Sequence, residues 1–468
     1  MSAPPVGPKA VLKEVLKTKS GIAAFTLLIF IISLSLVVPI YAPYNIVKSW
    51  NNPEMWLSNP RCAAPVWIEL FIGKKLPKNM VIESEEFHES CFIVTYGNFT
   101  IKKVYLDGDF NYKYDGFPSE FKIEIKANTK TNMRVDLKLI RPDGDEIFII
   151  EEVLTANKSR IVLGSEGEII HNAAENYVAE VLGSKPKVVV PQAVFFAVKD
   201  EGMNNPKTAK VLKGRYTLKI EATSLNPEDT VEVSMHIYGR VYGLIGTDAM
   251  RRDLLVGILW GAPIALAFGL TAAIISTFAQ AILGVISGYL GGKVDEIIQR
   301  ATEFMMVIPM LPIMILISFV YRLNIWTLLA VVIIFSIFGS TVKVVRSMVP
   351  QIKEEHYILA AISYGASRWR IMFRHIFPRV LPYTFSILAL SVPGYIFLEA
   401  ALSFLGLGDP VLPTWGKILG DAQNSGAAYH GYWWWILAPA MCIAITAIAF
   451  ALLGYAFDKV VNPRLREM

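Results

Sequence analysis

Residues 22–41 form an uninterrupted apolar run of about the length that crosses a bilayer as a helix, and the second half of the chain repeats the pattern. The stretches 262–290, 301–320 (with Pro309 and Pro312 inside), 325–342, 383–404 and 434–456 read as five further spans. No other feature limits the fold so strongly. The chain is expected to be an α-helical polytopic membrane protein with six transmembrane helices. At 53% hydrophobic residues and a mean hydropathy of +0.43, it is too apolar for a soluble domain of average usage.

Charge sets the expected orientation. Lys9, Lys13, Lys17 and Lys19 precede the first run against the single acid Glu14. That run is long for a signal-peptide core and no clear small-residue cleavage site follows it. It therefore reads as a retained helix with a cytoplasmic N-terminus. Between 343 and 379 seven Lys or Arg stand against Glu354 and Glu355, and the tail adds Lys459, Arg464 and Arg466. The loops on the other side offer little beyond Arg322 and Lys417. Six spans with both termini inside satisfy the positive-inside rule throughout. The net charge of +5 is thus a matter of topology and gives no support to nucleic-acid binding. Trp433, Trp434 and Trp435 fit an interfacial aromatic belt, and 262–290 is rich in the small residues that let membrane helices approach closely.

Between 45 and 240 the spanning runs vanish and charges appear throughout. Alternating or β-rich stretches recur at 121–127, 133–140, 146–150, 216–222 and 230–238. Arg141-Pro142-Asp143-Gly144 and Asn226-Pro227-Glu228-Asp229 are turn signals between them. The spacing suggests an inserted, mainly-β, sandwich-like domain with one amphipathic helix at 169–182, delivered by the first span to the extracytoplasmic side. Cys62 and Cys91 fall inside it. An oxidising compartment allows a disulfide between them, and the other reading is two unpaired buried thiols. Asn98 and Asn157 begin glycosylation tripeptides by pattern.

The segment 354–382 is neither a span nor an ordinary loop. Ile358 and Ile362, Trp369 and Phe373, and Met372 and Ile376 are each four apart, the spacing of one helical face. Arg368, Arg370, Arg374 and Arg379 are interleaved with them. Gly365 interrupts the pattern, and Pro378 and Pro382 close it, which predicts two short amphipathic helices with a bend between. The apolar face needs something to pack against: the protein's own bundle, lipid headgroups or a partner subunit.

This segment resembles the cytoplasmic loop of permease subunits in binding-protein-dependent ABC importers. The family pattern is Glu-Ala-Ala, three residues, Gly, nine residues, Ile, one residue, Leu-Pro. Ala360, Ala361, Gly365 and Pro378 match it, while Leu359, His375 and Phe377 stand at the Glu, Ile and Leu positions. The acid is commonly absent in the dipeptide/oligopeptide branch. A second match is Gly246-Thr247-Asp248, three residues, Arg252-Asp253, with Met250-Arg251 where that branch often has a Leu-Gly type pair. Read without the family, it is a polar turn with Thr247 or Asp248 as a helix N-cap. A third match, 399–408, begins at Glu399 and includes Ser403, and Pro413, Trp415 and Gly416 continue the likeness. Asn462-Pro463-Arg464 resembles the family's end. Glu399 and Glu303 lie in or at the edge of apolar spans, where a carboxylate is either a pathway group or a structural one that holds backbone; the structural reading is favoured for both.

The resemblance covers 240–468 well and 1–44 weakly. It implies a type I ABC importer fold arranged as 1–44, the inserted domain 45–240, and a permease core 241–468 with its loop at 343–382. It further implies a multi-pass cell-membrane location among lipid, alternating access, and a peptide-type cargo, with oligosaccharides or nickel chelates as alternatives. The implied partners are a second homologous permease, two ABC ATPase subunits and an extracytoplasmic solute-binding protein. In the coupling loop, Glu354, Glu355, Ala360, Ala361, Gly365, Ala366, Arg368, Arg374 and Pro378 are the residues expected to serve the ATPase contact. The chain has no Walker-type phosphate loop, so no catalytic residue and no cofactor are expected in it, and ATP and Mg belong to the partners. Three cysteines and six histidines without ligand spacing predict no metal site. A membrane-anchored sensor or adhesion protein is the rival class, and a secondary transporter a second rival, disfavoured because no internal repeat is visible.

Overall fold

A computed structural model describes residues 13–96, 99–156, 158–186, 188–321 and 324–461. Lys9, Asn98, Asn157, Arg322, Arg464, Arg466 and the 462–464 motif lie outside the described residues. The chain divides into two compact units: a helical one up to Asn52 and again from Leu254, and a β unit, Pro53–Asp253. The division falls later than the sequence reading places it, because 246–253 is hydrogen-bonded to 59–63 within the β unit.

The helical unit comprises α1 (Lys19–Tyr41), α2 (Leu254–Leu290), α3 (Gly292–Val307), α4 (Met310–Val320), α5 (Ile325–Ser336), α6 (Ser340–Lys353), α7 (His356–Ser363), α8 (Arg368–Phe404), α9 (Trp415–Asn424) and α10 (Trp433–Val461). Four of them, α1, α2, α8 and α10, are each long and apolar enough to cross a membrane. The pairs α3–α4 and α5–α6 meet that test only together, bent by 78° and 42°. The first break falls at Pro309, inside the stretch expected as one span, because proline cannot donate the helical hydrogen bond there. At the second break Gln280 of α2 donates to the Ser336 carbonyl at 2.6 Å, serving a backbone group freed by the bend.

Small residues make the close contacts in this unit. A Cβ added to Gly284 or Gly288 of α2 would stand 2.7 Å from Val345 or Val349 of α6, so the two backbones lie nearly in contact. One on Gly420 of α9 would meet the Phe404 carbonyl of α8 at 2.7 Å.

Pro378 and Pro382 do not close a helix, contrary to the sequence reading. Both lie within α8, which runs unbroken from Arg368 to Phe404. A π turn over Met372–Ile376 shifts the hydrogen-bond register just before Pro378, where the missing N–H would otherwise break the ladder.

The β unit is two antiparallel sheets. One has the order β1 (Met80–Ile82), β9 (Thr230–Tyr238), β4 (Glu120–Asn128), β7 (Arg160–Gly164). The other runs β2 (His88–Tyr96), β3 (Phe99–Tyr112), β8 (Gly214–Ser224), β5 (Met133–Ile140), β6 (Glu146–Leu154). Alternation places Ile123 and Ile125 of β4 and Val135, Leu137 and Leu139 of β5 in the core, while Arg134, Asp136 and Lys138 face away. The helix Glu168–Leu182 adds Ile170, Ala174 and Val178 to that core. Both expected turns close: the Gly144 N–H donates to the Arg141 carbonyl and the Asp229 N–H to that of Asn226, at 3.0 and 3.2 Å.

No disulfide joins Cys62 and Cys91, and Cys91 is not buried. It is exposed on the outermost strand β2, opposite Val104, whereas Cys62 is held in a tight turn where its N–H donates to the Asp248 carbonyl at 3.0 Å. Both readings offered for the pair are corrected by these placements.

Candidate functional site

Helix α7 ends in a Schellman motif. The Gly365 N–H donates to the Ile362 carbonyl at 2.9 Å and the Ala366 N–H to that of Ala361 at 3.0 Å. Gly365 holds φ +78, a backbone region that side chains disfavour, so the bend requires a glycine here. Ser367 then caps α8, its hydroxyl accepting from the Arg370 N–H at 3.4 Å. Glu355 and Arg379 clamp the bend from below with a 3.1 Å ion pair, and the Arg379 guanidinium lies over the Tyr357 ring.

The bent pair presents two apolar faces rather than one. Ile358, Ile371, Met372, Ile376 and Val380 are buried against Ala281 and Val285 of α2 and Val345, Val349 and Ile352 of α6. On the other side Leu359, Ile362, Tyr364, Trp369 and Phe373 are exposed, Tyr364 to 92% and Trp369 to 60%. Met372 and Ile376 thus share the inner face, and Trp369 and Phe373 share the outer one, stacked with centroids 5.6 Å apart. Ile358 and Ile362 point opposite ways, which the four-residue spacing does not predict. Glu354, Ala360, Gly365, Arg368, Arg370, Arg374 and Pro378 are exposed around the outer face, while Glu355, Ala361 and Ala366 are half-buried. The result is an apolar patch with a basic rim, seated on a packed base.

In 246–253, by contrast, Gly246, Thr247, Asp248 and Arg252 are buried. The Thr247 hydroxyl donates to the Pro60 carbonyl (2.7 Å) and accepts from the Ala63 N–H (2.9 Å), and the Thr247 N–H donates to the Ala63 carbonyl at 2.9 Å. The Asp248 carboxylate accepts from the N–H groups of Met250 and Arg252, both at 2.9 Å. It also pairs with the Arg252 guanidinium, itself 2% exposed, at 2.5 Å. Gly246 takes φ +87, and Asp253 bridges back to Thr247. The motif is therefore a strap on its own chain; Thr247 and Asp248 do not simply cap the following helix.

Glu399 and Ser403 meet one turn apart on α8, the Ser403 hydroxyl donating to the Glu399 carboxylate at 2.6 Å, with Glu399 fully buried. Asp409, also buried, accepts from the N–H groups of Val411, Leu412 and Ile325 at 2.8, 3.0 and 3.1 Å. The Trp415 indole donates to the Ile258 carbonyl of α2 at 2.9 Å. Asp409 and Trp415 hold backbone near the end of α8, whereas Glu399 holds the Ser403 side chain. Glu303 is exposed and paired with Lys343 and Arg300 at 3.2 and 3.1 Å. A neighbouring pair, Asp295 with Arg346, was not read from the sequence, because it joins α3 to α6 across 51 residues.

Four long apolar helices, two bent apolar pairs and a packed, basic-rimmed surface helix pair define a helical unit of membrane-spanning type. Residues 280–467 match the family described as binding-protein-dependent transport system inner membrane component. The oligopeptide transport system permease protein OppC of Bacillus subtilis is 35% identical over 225 residues, 47% of this chain and 72% of that protein. The dipeptide transport system permease protein DppC of the same organism is 33% identical over 47% of this chain and 69% of its own length. The glutathione transport system permease protein GsiD of Pectobacterium atrosepticum is 31% identical, over 48% and 73%. The chain belongs to this family of inner-membrane permease components of ABC importers, in its dipeptide/oligopeptide branch. The family match begins within α2, so the β unit falls outside it.

Proposed function

We propose that the chain is one of two homologous transmembrane subunits of an ATP-driven importer, forming half of the pathway for di- or oligopeptides. The observation that carries this reading is the outer face of α7 and the start of α8, where Leu359, Ile362, Tyr364, Trp369 and Phe373 are exposed amid Arg368, Arg370 and Arg374. An apolar patch of this kind marks a protein or membrane interaction site. The basic rim supports a cytoplasmic position under the positive-inside rule, and so an ATPase subunit as the partner. Because the inner face is locked onto α2 and α6, displacement of the patch carries those helices with it. ATP binding and hydrolysis, with Mg, occur in the partner ATPases, and the helices rock between outward- and inward-open states.

In this account each bent pair is one span, giving six, with both termini cytoplasmic and the β unit outside. There the β unit forms a docking platform for the solute-binding protein. The names of these three relatives, peptide and glutathione systems, support a peptide cargo. The test is purification of the detergent-solubilised complex. ATPases and a binding protein holding a peptide should co-purify, and uptake should lose affinity for the loaded binding protein when residues 68–239 are replaced by a short linker. Isolation of the chain without ATPases, or with a signalling partner, would favour the sensor class instead.

A further inference from the structure

Among the described residues, only two that are not glycine adopt the left-handed backbone region: Cys62 at φ +49 and Arg251 at φ +64. They lie on the two chain segments that form the base of the β unit, 59–66 and 246–253. These segments are joined by the Thr247 bonds, by Cys62 N–H to the Asp248 carbonyl, and by the Asn59 amide to the Arg251 carbonyl at 3.0 Å. Such backbone persists only where its surroundings over-determine it. At Arg251 the surroundings are explicit. Its guanidinium donates to the Asn59 carbonyl at 2.8 Å, pairs with the Glu120 carboxylate, and lies 4.4 Å over the Tyr238 ring. Glu120 on β4 and Tyr238 on β9 are direct cross-strand partners, and the Tyr238 hydroxyl donates to the Leu57 carbonyl at 2.8 Å. One side chain therefore touches the incoming segment and the facing ends of two neighbouring strands. A glycine would satisfy the backbone here without strain, so what the arginine adds is its contacts.

We infer that Arg251 is a positioning residue that seats the four-stranded sheet on the base of the β unit, so that 57–66, 246–253 and the adjoining ends of β4 and β9 open as one body. The inference stands apart from what docks on the unit.

It is tested by amide hydrogen exchange on the full-length protein in nanodiscs. In Arg251→Gly, which relieves the backbone, exchange should rise about tenfold in 57–66 and at the ends of β4 and β9. Arg251→Ala, which keeps the strain and loses the contacts, should exchange faster still. Arg251→Lys, which keeps a cation for Glu120, should recover part of the protection. Exchange in Arg251→Gly at or below the wild-type level would overturn the inference, and so would a rise confined to 246–253.

Discussion

The segments 246–253 and 356–376 are both built on family-motif residues and both turn on a glycine with positive φ, Gly246 and Gly365. Their side chains finish in opposite states. Thr247, Asp248 and Arg252 are buried and bonded to their own chain, whereas Leu359, Tyr364 and Trp369 stand exposed. A buried, satisfied motif holds its own fold together. An exposed apolar one, on a base that is itself packed, leaves a face over, and under the proposed function that face meets the ATPase. Motif matching alone does not separate these roles; burial does.

The contrast breaks most visibly at the buried end. Arg252→Ala leaves the Asp248 carboxylate buried without its cation, which should cost about 3–5 kcal/mol and sharply lower thermal stability and yield. The same truncation at exposed Arg368 should leave the thermal midpoint unmoved. At the exposed end, Gly365→Arg puts a side chain at φ +78, costing about 1–2 kcal/mol locally. Co-purification of ATPases and substrate-stimulated ATP hydrolysis should fall with it, while the β unit stays folded. A smaller change, Trp369→Ala, should weaken ATPase binding by more than about 1 kcal/mol, roughly fivefold, without altering stability.

The smallest effect is one of pH, and it belongs to the β unit. Burial raises the Glu124 carboxyl, but Arg160, Lys122 and Lys126 more than offset this and hold it at about 2. Burial likewise opposes the hydroxyls of Ser224 and Thr129, which keep Asp229 below its ordinary value. Both groups bind fewer protons folded than unfolded, so their contribution is whole above about pH 5 and is lost as pH falls, for Glu124 through about 2. Glu124→Gln should flatten that acid limb of the stability curve.

Much of this architecture was legible in the sequence. The period of two at 121–127 and 133–140 and the apolar lengths of α1, α2 and α10 were enough to place strands and helices. In the missed hairpin β2–β3, Phe92, Ile93 and Val94 are exposed in succession on the outermost strand β2, so no buried face imposes an alternation there, whereas β3 does alternate, with Val104, Leu106, Phe110 and Tyr112 buried. The passage of α8 through Pro378 depends on a π turn, which leaves no mark in a helical period. Within the candidate site, the bend at Gly365 was readable. The opposed directions of Ile358 and Ile362 were not, because they depend on where α2 and α6 stand.

Under the proposed function the outer face of α7 and the start of α8 meets an ATPase. A photo-crosslinking residue at Tyr364, in the assembled importer, tests it most directly, with one at buried Ile371 as the control. An adduct with the ATPase subunit is expected from position 364 and none from 371. Adducts from 364 with lipid or with this chain alone, in a complex that still hydrolyses ATP, would contradict it.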